Sequence, residues 1–139
     1  KNYTIPIGKG HILRKGKDVT IVAFSLMVKE ALKAADVLSK ENISVEIVDP
    51  RSSYPLDIDT IVQSLRRTGR LVIADVDWIY CGIGAEISAQ INENYSKLLK
   101  KPVKRIGLPH VPHPTSYALE EVMYTDFNDI VKNVKALLK

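Results

Sequence analysis

The apolar positions along the chain switch repeatedly between a period of two or less and a period near 3.6, the alternation that separates strands from helices. From Asp18 to Ser25 the residues Val19, Thr20, Ile21, Val22, Ala23 and Phe24 are strand formers without a charge among them, which predicts a central strand. Leu26 to about Lys40 predicts a helix capped by Ser25. Its buried face is Val28, Ala31, Leu32, Ala35 and Leu38, and Lys29, Lys33 and Lys40 point to water. Ile43 to Val48 reads as a strand in which Val45 and Ile47 alternate with Ser44 and Glu46, ended by Asp49-Pro50-Arg51. Asp57 then caps a helix with Ile58, Ile61, Val62 and Leu65 as its stripe, and Gly69 ends it in a left-handed conformation.

The run Leu71–Ala74 is apolar on both faces, as in a covered parallel sheet. A loop ending in Gly82-Ile83-Gly84 turns it into a helix from about Gly84 to Leu99, with Ile83, Ile87, Ile91, Tyr95 and Leu98 on one side. Pro102–Ile106 predicts a last short strand, and Pro109, Pro112 and Pro114 make 107–115 an irregular surface connection. Short and long closing helices are expected at Tyr117–Met123 and Phe127–Leu138. Gly10–Gly16 is expected to form a short strand that turns at Gly16-Lys17-Asp18 into a hairpin with the strand that follows. Strands alternating with helices imply a three-layer α/β/α sandwich with a mostly parallel sheet, a single domain over 1–139.

Composition narrows the function classes. At 139 residues, 45% apolar and 26% charged, the chain is an ordinary globule without linker, repeat or low-complexity tract. No apolar run is long enough to span a bilayer, so no membrane role is expected and the location expected is cytoplasmic. One cysteine forbids an internal disulfide. The chain starts at Lys1, which suggests a processed or excised segment. The net charge of +4 comes from three groups: Lys9, Arg14, Lys15 and Lys17; Arg66, Arg67 and Arg70; and Lys97, Lys100, Lys101, Lys104 and Arg105. Without interleaved aromatics or a nucleic-acid motif, these are read as solvated surface, with no nucleic-acid partner.

Candidate chemistry is sparse. Gly82 and Gly84 at a strand-to-helix turn suit either a tight turn or an anion site; the third glycine of a dinucleotide fingerprint is replaced by Ile87, and Glu86 competes for the same amides. Cys81 precedes that helix without a neighbouring histidine in sequence. His110 and His113 are too few for a zinc site. Asp75 and Asp77 stand where α/β sheets bind ligands but are expected to point to opposite faces. Trp78, Ile79 and Tyr80 form an apolar segment in a loop, the sign of a protein partner. With Gly82, Gly84 and the corner Pro112, His113, Pro114 and Tyr117 they are the candidate interface. No catalytic, cofactor-binding or metal-binding residue is assigned.

Several motifs occur in order: Ile5-Pro-Ile-Gly-Lys9, Asp18-Val-Thr-Ile-Val22, Glu30-Ala-Leu-Lys-Ala-Ala35, Val48-Asp-Pro-Arg51 with Tyr54-Pro-Leu-Asp57, Gly69–Trp78, Gly82–Ile87, Lys101–Ile106 and Pro114–Glu120. Together they resemble the C-terminal domain of transketolase-like enzymes, above all of the E1 β subunit of 2-oxo acid dehydrogenase complexes of pyruvate, branched-chain or acetoin type. The resemblance implies a five-stranded, mostly parallel sheet with one antiparallel edge strand. It also implies that thiamine diphosphate and Mg²⁺ belong to the parent enzyme and none is bound by this domain. The partners implied are an E1 α subunit, a second β subunit and an E2 acyltransferase core; the location implied is cytoplasmic, or the mitochondrial matrix in a eukaryote. Asp75, Cys81 and Ser25 depart from that pattern, Asp75 standing at a frequent glutamate and the other two at frequent glycines. Two alternatives stay open: a stand-alone regulatory or nucleotide-binding module, and a C-terminal fragment of a transketolase or deoxyxylulose-phosphate synthase.

Overall fold

A computed structural model describes residues 3–139. In chain order the elements are β1 (His11–Arg14), β2 (Val19–Ala23), α1 (Leu26–Ser39), β3 (Val45–Asp49), α2 (Ile58–Thr68), β4 (Leu71–Trp78), α3 (Ile83–Tyr95), a 3₁₀ turn at Ser96–Leu98, β5 (Lys104–Leu108), α4 (Tyr117–Met123) and α5 (Phe127–Leu138). The strands form one sheet in the order β1-β3-β2-β4-β5, parallel except for β1. The expected sandwich, with one antiparallel edge strand, is present.

Strand periodicity sorts the core into two layers. Val19, Ile21, Ala23, Ile47, Val72 and Ala74 face α1 and α5; Val22, Val48, Leu71 and Ile73 face α2 and α3. Asp57 caps α2 by accepting the Thr60 amide at 3.2 Å, and Gly69 closes it at φ 71°, its amide donating to the Leu65 carbonyl at 2.8 Å. Both roles are those read from the sequence.

Three local expectations are corrected. First, β1 pairs with β3, and no hairpin joins it to β2. Both edges of β2 are taken by the better-covered β3 and β4, so the amphipathic β1 adds at the rim. The segment after β1 passes over the start of β3, where the Lys17 and Asp18 amides donate to the Ser44 carbonyl at 3.2 and 2.8 Å. Gly16 is required there, since a Cβ would lie 2.1 Å from the Val45 carbonyl carbon.

Second, Glu46 faces the helix layer and not water. It is 1% exposed, because β3 is covered on both faces, and it pairs with Arg67 of α2 while accepting the Gly16 amide at 3.3 Å. Burial pushes its carboxyl up, but the hydrogen bonds from Arg67, Ser64 and the Gly16 amide, with the Arg67 charge, outweigh this and hold it below the ordinary range. Nearby, the buried Thr20 hydroxyl bonds Ser64 at 2.8 Å and Thr68 at 2.7 Å.

Third, Ser25 makes no side-chain cap. The first turn of α1 is closed by backbone: the Met27 amide donates to the Phe24 carbonyl at 2.9 Å and Val28 to Ser25 at 3.2 Å. The buried stripe is accordingly Met27, Ala31, Ala34, Ala35 and Leu38, with Leu32 exposed.

Candidate functional site

The sheet has two unlike ends, and the C-terminal end carries the candidate surface. β2 stops at Ala23, opposite Ala74, whereas β4 runs on to Trp78 and pairs there with Leu108 of β5. Beyond Ala74 these two strands project as a ribbon. The expected short strand of Leu71–Ala74 is thus four residues longer and places Trp78 in the sheet, with only Ile79 and Tyr80 in the loop.

Close backbone packing fixes the ribbon tip. The Ile79 amide donates to the Leu108 carbonyl at 3.0 Å, and the Arg105 guanidinium to the Ile79 carbonyl at 2.8 Å. Gly107 allows this approach: a Cβ there would sit 2.6 Å from the Asp77 carbonyl oxygen. Gly82 is buried, with the Trp78 carbonyl oxygen 2.2 Å from where its Cβ would be, and Gly84 packs α3 onto Ile73 of β4. These glycines shape the corner from behind. The protein's own carbonyl thus occupies the space that a side chain at position 82 would need, and glycine is required there by close packing.

On this frame the two candidate segments meet. Trp78 stands edge-on to the His110 ring, centroids 4.9 Å apart, and Tyr80 lies 5.3 Å from the same ring. Trp78, His110, Val111 and Pro112 line a shallow hollow of about 200 Å³. Val111 and Pro112 also line a larger, almost wholly apolar one of about 360 Å³ with Pro114, Leu119 and Val122. Trp78 is 41% exposed, Tyr80 67%, Tyr117 75% and Val122 86%, and α4 buries none of its side chains. An apolar strip therefore runs from the end of β4 across the proline corner to α4, of a kind that solvent alone does not favour. His113 leaves the strip to pack on Tyr124 at 5.6 Å, so the two imidazoles diverge.

Sequence reasoning missed His110, Leu119, Val122 and Gly107. The helical spacing of Leu119 and Val122 was a usable signal, since nothing on the sheet is left for them to cover. Asp75 and Asp77 lie where the β4–β5 ladder is irregular, between Ala74 and Trp78, and the Asp77 charge acts on the Asp75 carboxyl. Burial raises the Asp75 carboxyl, and the charge of Asp77 adds to the rise against the hydrogen bond from the Val76 amide. Cys81 is exposed, with φ 58°. Among the described residues no group of three or more His, Cys, Asp or Glu is placed to hold a metal, and no helix is long and apolar enough to cross a membrane.

The profile of the family "Transketolase, C-terminal domain" matches residues 8–130. The mitochondrial pyruvate dehydrogenase E1 component subunit beta of Dictyostelium discoideum is 43% identical over 97% of this chain and 38% of its own length. Its Bacillus subtilis counterpart is 39% identical over 100% of this chain and 42% of its own. The β subunit of acetoin:2,6-dichlorophenolindophenol oxidoreductase of Cupriavidus necator is 42% identical over 99% and 40%. The chain spans about two fifths of the length of these curated relatives. Among solved structures, a split-gene transketolase described as an inactive β4 tetramer superposes with a TM-score of 0.86 at 34% identity, over 98% of this chain and 44% of that one. A 2-oxoglutarate:ferredoxin oxidoreductase from Magnetococcus marinus, at 13% identity and a TM-score of 0.62, shares the fold alone.

Proposed function

The chain belongs to the transketolase C-terminal domain family, and from that premise we propose that it is the assembly domain of an E1 β subunit in a 2-oxo acid dehydrogenase complex. The observation that carries this reading is the apolar strip from Trp78 to Val122, held on a rigid ribbon and exposed along one end of the sheet. Such a surface suits a sister subunit: aromatic and aliphatic anchors lie at the centre, with few charges among them. Trp78, Ile79, Tyr80, Pro112, Pro114 and Tyr117 supply contacts, while Gly82 and Gly84 set the shape. The partners in this reading are a second β subunit and an E1 α subunit, with the E2 core as a further one.

The relatives that match over nearly the whole chain are named as pyruvate dehydrogenase and acetoin oxidoreductase β subunits, and this favours a 2-oxo acid or a related acyl donor as the substrate of the assembled enzyme. In that enzyme thiamine diphosphate supplies the carbanion chemistry and Mg²⁺ anchors its diphosphate. Both sit on other polypeptide in this reading, and the residues of this chain act by holding subunits in register.

A chimera tests the proposal. When this chain replaces the matching region of the Bacillus subtilis E1 β subunit, pyruvate-dependent reduction of a dye is retained, whereas the chain alone with thiamine diphosphate and Mg²⁺ gives none. Turnover by the chain alone contradicts the reading. The split-gene transketolase likeness supports a second reading, a piece of a transketolase. It is favoured instead if the chimera works only in a transketolase and only on sugar phosphates.

A further inference from the structure

The fold gathers at its other end the basic groups that are scattered in the sequence. β2, β3, β4 and β5 all begin at the N-terminal end of the sheet, level with one another, as Val19 pairs with Val45, Thr20 with Leu71 and Val72 with Lys104. β2, β4 and β5 are each preceded by basic residues. Lys15 and Lys17 line a polar hollow of about 450 Å³ with Arg14, Ser39, Asn42 and Ser44. Next to it, the Arg70 guanidinium donates to the Asp18 carbonyl at 3.3 Å, and Lys100 reaches the Thr68 carbonyl at 3.4 Å, so the three groups form one continuous face.

Three of the acids at this end are ion-paired. Glu46 pairs with Arg67, Asp36 with Arg14 and Glu41 with Lys135, and Asp18 accepts the Ser44 amide at 2.7 Å; Glu93, in the last turn of α3, remains. Lys15, Lys17, Arg66, Lys97, Lys101 and Lys104 are exposed, and none forms an ion pair among the described residues. These six cations stand at the end of the sheet opposite the apolar strip.

We propose that this basic end of the sheet is a second docking surface, whose partner is an acidic polypeptide segment. Converging like charges leave a field that a complementary chain relieves. Nucleic acid fits less well, because the exposed rings that would stack on bases, Trp78, Tyr80 and Tyr117, stand on the strip at the other end. The inference does not depend on the assembly reading.

Fluorescence anisotropy with a short labelled poly-glutamate peptide tests it. The chain binds at about 0.1 M salt and releases the peptide as salt is raised. A variant carrying Lys15→Glu, Lys17→Glu, Lys101→Glu and Lys104→Glu, checked for folding by circular dichroism, binds about tenfold or more weaker. Trp78→Ala binds as the parent does. If the variant does not fold, the salt dependence of the parent decides alone. No binding at low salt, salt-independent binding, or equal binding by the charge-reversed variant overturns the proposal. Tighter binding to oligo-dT than to the peptide overturns the choice of partner.

Discussion

Ser25 offers a sharp test of how local strain is stored in this fold. It sits at φ 51° and ψ −126°, a region that suits glycine and costs a residue with a Cβ about 1–3 kcal/mol. Its hydroxyl forms no cap and the residue is exposed, so removal of the side chain loses no contact. Ser25→Gly relieves the strain against about 0.5–1 kcal/mol of added freedom in the unfolded chain, a net stabilisation of about 1 kcal/mol. At about 2.1 cal/mol/K per residue, the unfolding entropy of a chain of 139 residues is about 290 cal/mol/K, so Tm rises by about 3–4 °C. Ser25→Ala keeps the strain and breaks no cap, and stays within about 0.5 kcal/mol of the parent, whereas a true N-cap loses about 1. Thermal unfolding followed by circular dichroism, with urea titration as a check, reads both variants. A fall in Tm for Ser25→Gly, or a loss of about 1 kcal/mol for Ser25→Ala, refutes the reasoning.

Other outcomes follow from the same geometry. Gly16→Ala forces a methyl into the Val45 backbone and lowers stability by about 3 kcal/mol or more in urea; a loss under about 1 kcal/mol means that the segment does not cross β3 so closely. The folded-state carboxyl of Glu46 is held below the ordinary glutamate range, so its contribution is present above the unfolded value and is lost as pH falls through the folded one. The parent therefore loses urea resistance faster than Glu46→Gln below about pH 4.5, and parallel curves contradict this. For Asp75 the sign is opposite. Its raised folded value means stability is full below the unfolded value and declines as pH rises, so Asp75→Asn raises Tm at neutral pH and the gain vanishes in acid; a pH-independent change removes the burial argument.

What was legible in the sequence followed local rules. Phe127–Leu138 and Tyr117–Met123 were delimited by periodicity, and Asp57 and Gly69 by the chemistry of helix ends. What was hidden depends on distant partners. Gly16-Lys17-Asp18 has the composition of a hairpin turn, and only the approach of Val45 shows why the glycine is there. Glu46 reads as a solvent position until Arg67 arrives from α2, and Ser25 has the right type for a cap but the wrong backbone angles. The interface candidates were visible as apolar residues out of place. Their union through His110, and its extension to Leu119 and Val122, required the ribbon that Gly107 allows. The basic residues of the second surface are spread over residues 15–104 in the chain, and only the common level of the strand starts brings them together.

The central claim is that the strip from Trp78 to Val122 joins copies of this subunit, and sedimentation equilibrium tests it most directly. The account predicts that the parent chain self-associates at micromolar concentration. Trp78→Ala and Val122→Glu should shift it to monomer, the second with little change in Tm since that side chain is 86% exposed. A parent that stays monomeric, or variants that associate as the parent does, contradicts it.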